Sequence, residues 1–190
     1  MTSDLGSPLP LHISLSRPLS LSTAEKDDFL EQVTKTIESG DIKSFLVNPK
    51  GLAWFKSPDS DRAFLIIRVE SASTRSSTKH QKSNPELMAL LNSCNGVAGR
   101  FKQPLLYQNQ ANQEVGSAFH LSIAWTFGLP DEERPITALE VFNRKDIREA
   151  KEWDIDVTGI KVKIGNIVSH VPLPQAGSVR RSKSDFMAGG

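Results

Sequence analysis

Cysteine is almost absent from this 190-residue chain, and its single copy, Cys94, excludes an internal disulfide framework and any cysteine-rich zinc site. Cys94 falls inside a segment of helical periodicity, which suits a buried structural thiol better than a nucleophile. Long apolar runs are absent too: no stretch of about 18 residues could span a bilayer, and no signal-peptide pattern precedes the first polar segment. The expectation is a soluble, intracellular protein without a membrane partner. Charge of one sign is lacking as well. A formal net charge of +1 argues against a protein that coats long nucleic acid nonspecifically, while leaving room for a groove that takes a short RNA end. No His-x-x-x-His pair, carboxylate triad or cysteine cluster offers a metal site, so neither metal nor cofactor is expected. Tyrosine is limited to Tyr107 and histidine to four copies.

Two of those four histidines stand in nearly the same frame. Leu11-His12-Ile13-Ser14-Leu15 and Phe119-His120-Leu121-Ser122-Ile123 both read as apolar, His, apolar, Ser, apolar. Chance gives two such frames roughly once in a thousand chains of average composition. In a strand, residues i and i+2 project from one face and their neighbours from the other. His12 would then stand beside Ser14, and His120 beside Ser122, with the apolar residues behind them. An ordinary amphipathic strand could show one such pair to water, so it is the repetition that points to chemistry. Two such strands side by side would line a groove with two imidazoles for acid and base work near neutral pH and two hydroxyls to hold phosphate oxygens.

The rest of the chain reads as an alternation of short elements. Residues 1–10 are rich in Pro, Gly and Ser and form an irregular lead-in. A first strand is expected at 11–17, ended by Pro18. Ser22-Thr23-Ala24-Glu25 has capping-box spacing, and Phe29, Leu30, Val33 and Ile37 share one helical face up to Gly40. Strands are expected at 42–48, 51–57 and 62–70, the last around the apolar run Phe64-Leu65-Ile66-Ile67. A polar loop at 71–84 contains a solvated His80. Pro85 opens a second helix carrying Leu87, Leu90, Leu91 and Cys94, and a strand at 119–127 carries the second motif. A third helix is expected at about 136–152. Two closing strands, 155–164 and 166–173, meet at the hairpin signal Gly165-Asn166. His170, on the last strand, reads as a surface residue. The basic segment 175–190, with Arg180, Arg181 and Lys183, reads as a disordered tail.

Two His-x-Ser motifs about a hundred residues apart, each early in an alternating half, resemble the two-histidine (2H) phosphoesterase superfamily. Within it the chain resembles the U6 snRNA phosphodiesterase family, on the strength of Leu11-His12-Ile13-Ser14-Leu15-Ser16, Phe119-His120-Leu121-Ser122-Ile123-Ala124-Trp125, and Lys163-Ile164-Gly165-Asn166 through Val171-Pro172-Leu173. The likeness covers residues 11–174, expected as one domain.

The resemblance implies an α+β, two-lobed fold of pseudo-twofold antiparallel sheets with flanking helices. Family members carry a strand and a helix ahead of their first motif, whereas eleven residues precede His12. The first lobe is therefore expected to be incomplete at its N-terminus. The resemblance also implies a metal-independent 3′–5′ RNA exonuclease, a monomer in the nucleus that trims the oligouridine 3′ end of U6 snRNA during splicing-related RNA processing. His12 and His120 would be catalytic, one taking the proton of the ribose 2′-hydroxyl and the other protonating the departing 5′-oxygen, with the assignment left open. Ser14 and Ser122 would hold the phosphate, and Tyr107 would stack on the terminal base or else serve as a packed structural residue. The product would keep a 2′,3′-cyclic phosphate or be opened to a 3′-monophosphate. The alternatives are a 2′,3′-cyclic phosphodiesterase or ligase-like member of the superfamily, and a catalytically impaired RNA-binding fragment.

Overall fold

The computed structural model describes residues 10–57, 60–75, 83–108, 112–128, 140 and 153–175. Ser22 starts the first helical element as the capping box requires, its backbone N–H donating to Glu25 Oε2 at 2.8 Å. The hydrogen bonds to Ser22 hold the Glu25 carboxyl below the ordinary carboxylate range. A single 3-10 turn at Thr23–Glu25 leads into helix α1, Lys26–Ser39, which buries Phe29, Val33 and Ile37 at four-residue intervals.

Strand β1 runs Phe45–Lys56 and pairs antiparallel with β2, Arg62–Ser71. The expected strands 42–48 and 51–57 are thus one strand. Pro49 lacks the N–H that a ladder needs, and β1 absorbs it as an irregularity between Pro49 and Gly51 instead of ending there. A one-turn helix α2, Ala72–Arg75, follows, and α3 spans Pro85–Arg100. Helix α4, Asn112–Ala118, feeds β3, His120–Phe127. The expected closing strand 155–164 divides at Thr158 into β4, Ile155–Val157, and β5, Gly159–Ile164; β6 is Ile167–Pro172. The division arises because β4 pairs with β1 while β5 turns back on β6 through Gly165, whose φ of +59° suits the first central position of a two-residue hairpin. The third helix expected at 136–152 lies outside the described residues, Glu140 excepted, as do His80 and nearly all of the basic tail.

The result is an α+β fold with two antiparallel sheets, one of order β3-β2-β1-β4 and one formed by β5 and β6. Two apolar cores fill it. Phe29, Val33, Ile37, Ile160, Val171 and Leu173 make the first, beside the hairpin; Val47, Val69, Val115, Phe119 and Leu121 make the second, beneath the larger sheet. Helix α3 serves both, sending Leu90 and Val97 into the first and Leu87, Met88 and Leu91 into the second. No described helix is long and apolar enough to cross a membrane.

Candidate active site

The first motif departs from its expected form: residues 11–17 do not make a strand. The segment touches the sheet through one antiparallel bridge, Ile13 with Leu121. That bridge is sufficient to set the register. With Ile13 opposite Leu121, His12 lies opposite Ser122 and Ser14 opposite His120, and all four fall on the face away from the two bridging residues. Ile13 packs against the second core and Leu121 is part of it, which seats the pairing; His12 and Ser14 are exposed and His120 and Ser122 half-buried. Diagonal neighbours in such a pairing lie about 7–8 Å apart, so the two imidazoles flank a space that could hold a phosphate between them.

Both imidazoles are oriented in the same way. His12 Nδ1 lies 3.0 Å from the carbonyl of Pro10, and His120 Nδ1 lies 2.7 Å from the carbonyl of Ala118, in each case two residues back along the chain. A carbonyl can only accept, so each Nδ1 must carry its proton. Each neutral ring then keeps the Nε2 lone pair for chemistry. Burial is the main reason the His120 imidazole is held below the ordinary histidine range; the Ala118 carbonyl pulls the other way, and the nearby charges of Arg68 and His12 add to the lowering.

Beside His120 lies a cleft of about 180 Å³ lined by Phe55, Ile66, Arg68, Tyr107, Ser117 and Ala118. Tyr107 therefore comes to the site. It takes φ +59°, packs edge-to-face on the buried Phe119 ring at 6.3 Å, and its hydroxyl is pushed up by burial. The loop is fixed beside it by Asn95 of α3, which accepts from Leu106 N–H and donates to Leu106 O, both at 3.0 Å. Tyr107 thus both packs against the core and lines the cleft. Phe55 sets its ring 5.6 Å from that of His120.

Sequence reasoning missed Arg68 and Phe55. Arg68 pairs with His120 across the β2–β3 ladder and is exposed on the site face. The signal for it was a charge interrupting the apolar run of β2; Phe55 left no comparable mark.

Behind the site, Asn84 caps α3 from a left-handed conformation and is almost fully buried. Its amide donates to the carbonyls of Val69 and Gly116, and its side-chain oxygen accepts from Ser71 N–H. This ties β2 to the end of α4, from which the chain enters His120. Cys94 is half-buried with its thiol pushed up to about 11 by burial, as a structural cysteine should be, and His170 is exposed opposite Lys161 on the hairpin. Among the described residues, no group of three or more His, Cys, Asp or Glu side chains could hold a metal ion.

A protein-family model described as "HVSL: Uncharacterised conserved protein" matches residues 1–172. The chain belongs to the HVSL family. Among curated proteins, the HVSL chain is similar to U6 snRNA phosphodiesterase 1 of Neurospora crassa, 37% identical over 180 residues that make up 88% of this chain and 49% of that protein. It spans about half the length of the curated relative. Its fold is that of Kluyveromyces marxianus Usb1: a structure with uridine monophosphate matches with a TM-score of 0.56 at 17% identity, over 90% of this chain and 79% of that one. A second Usb1 structure gives 0.53 at 16%, over 90% and 78%. The family resemblance drawn from the two motifs and the closing hairpin agrees with these findings.

Proposed function

We propose that this HVSL chain is an RNA phosphodiesterase that removes nucleotides from a 3′ end, with the oligouridine end of U6 snRNA as its substrate. The observation that carries the reading is the Ile13–Leu121 bridge, which brings two His-x-Ser motifs face to face with both Nδ1 atoms tied to the main chain. The likeness to U6 snRNA phosphodiesterase 1 supports the choice of substrate.

In this mechanism His120, held largely neutral at physiological pH by its burial, takes the proton of the 2′-hydroxyl through Nε2. The freed oxygen attacks the adjacent phosphorus, and His12, entering the step protonated on both ring nitrogens, gives its Nε2 proton to the departing 5′-oxygen and is left neutral. Ser14 and Ser122 donate to the non-bridging oxygens as negative charge builds there, and Arg68 draws the phosphate toward His120. Tyr107 stacks on the terminal base in the cleft. A 2′,3′-cyclic phosphate results, open to hydrolysis to a 3′-monophosphate. No step calls for a metal, and the protein acts as a monomer in the nucleus.

The test is incubation of the protein with a 3′-oligouridine RNA in EDTA, beside His12→Ala and His120→Ala. Shortening from the 3′ end by wild type and none by either variant is the expected result. Loss of activity in EDTA refutes the metal-free mechanism. Action on small cyclic phosphates alone would make the protein a 2′,3′-cyclic phosphodiesterase, and tight RNA binding without turnover would make it a binding protein.

A further inference from the structure

The pairing of β3 with β2 carries an irregularity beside the histidine. Leu65 pairs with Ala124 and Ile66 with Ser122, so Ile123 is an extra residue with no partner of its own. Because side chains alternate along a strand, Trp125 and Phe127 would otherwise face away from His120 and Ser122; the extra residue returns them to the same face. Phe127 then stands 71% exposed to solvent, in edge-to-face contact with Trp125 at 5.2 Å. Across the ladder, the Arg62 guanidinium lies 4.6 Å from the Trp125 ring centre and 5.9 Å from that of Phe127. Phe55, on the next strand and opposite Phe64, closes the gap between this cluster and the His120 ring.

An exposed ring costs solvation unless something covers it, and a cation held among aromatic rings suits an anionic, stacked polymer. The cleft at the Tyr107 end of β3 has room for about one base, so a chain entering the site must continue in the other direction. Phe127 lies seven positions along the strand from His120, roughly 20 Å, the span of a few extended nucleotides. We propose that Phe127, Trp125, Arg62 and Phe55 form an extended RNA track that holds the nucleotides 5′ of the scissile phosphate, Phe127 stacking a base and Arg62 drawing the backbone. The track rests on the phosphodiesterase reading and deepens it, since it makes the enzyme favour single strands of several nucleotides over a dinucleotide.

The experiment compares cleavage of the dinucleotide UpU with that of an oligouridine octamer by wild type, Phe127→Ala, Phe127→Trp and Arg62→Gln. Phe127 is exposed enough for its replacement to leave the fold intact. The expected result is a KM for the octamer about tenfold higher in Phe127→Ala and Arg62→Gln, with UpU cleavage unchanged and Phe127→Trp close to wild type. Equal losses on both substrates, or no loss on the octamer, overturn the track. If wild type cleaves neither substrate, fluorescence anisotropy of a labelled octamer decides separately: binding weakened in Phe127→Ala supports the track, and binding equal in the two proteins, or absent in both, overturns it.

Discussion

The side chain of Asn84 donates to the carbonyl of Gly116 at 2.8 Å, two residues before the carbonyl that orients His120. The capping residue of α3 thereby helps fix the main chain that positions the His120 imidazole. Asn84→Ala removes two donated bonds and leaves Ser71 N–H without its acceptor, all in a buried place, and it puts alanine in a left-handed conformation. The expected loss is about 3–4 kcal/mol of stability, read from urea unfolding. A loss below about 1 kcal/mol would mean that water takes over the network.

Gly116 itself sits against Ser83, and a Cβ there would stand 2.5 Å from the Ser83 carbonyl oxygen. Gly116→Ala must push the end of α4 and shift Ala118, so kcat should fall about tenfold while KM changes little, as misplacing a proton acceptor predicts. Gly96 of α3 supplies the control, because a Cβ there meets nothing within 4 Å. Gly96→Ala should stabilise the protein by about 0.5–1 kcal/mol and leave kcat alone.

Burial of His120 links the fold to pH. Its folded-state affinity for a proton is below the unfolded one, so the unfolded chain binds more protons once the pH drops below about 6.5. Stability should be flat above that point on this account and decline as the pH falls through it, until the folded imidazole protonates as well. Thermal melts between pH 8 and 5 should show a smaller decline in His120→Gln than in wild type. Arg68→Gln removes a charge that opposes protonation, so the folded imidazole protonates at a higher pH and the decline should end sooner, with a smaller total loss.

The division of labour between the histidines is open to a chemical test. An RNA whose scissile 5′-oxygen is replaced by sulfur has a leaving group that needs no proton. His12→Ala should lose about 10²–10⁴-fold on ordinary RNA and recover much of it on the sulfur substrate, while His120→Ala should recover none. The reverse pattern would exchange acid and base. Ser14→Ala and Ser122→Ala should each cost about 10²-fold in kcat on both substrates.

How much was legible beforehand varied with the physics behind each element. The capping box at Ser22, the apolar spacing of α3 and the Gly165 turn are local codes, and each element stands where that code put it. Pro49 misled because a proline inside a sheet normally ends a strand, and only the β1–β2 ladder reveals the irregularity that accommodates it. The break at Thr158 depends on β1 and β6 competing for neighbouring residues, which is tertiary information. The two His-x-Ser motifs were visible through repetition, yet the strand expected around His12 is a single bridge, because its partner edge lies more than a hundred residues away. Arg68 and Phe55 join the site through pairing and curvature, to which no linear spacing corresponds.

Each imidazole is aimed by a peptide carbonyl, a group that every amino acid supplies. Many histidine enzymes rely on a carboxylate for this task and must preserve a third side chain along with the pair. Here positions 10 and 118 hold proline and alanine, which have nothing in common but their backbone. Sequence drift can therefore change the side chains at positions 10 and 118 without removing the acceptors that aim the rings, as long as contacts such as Asn84 with Gly116 keep the main chain in place.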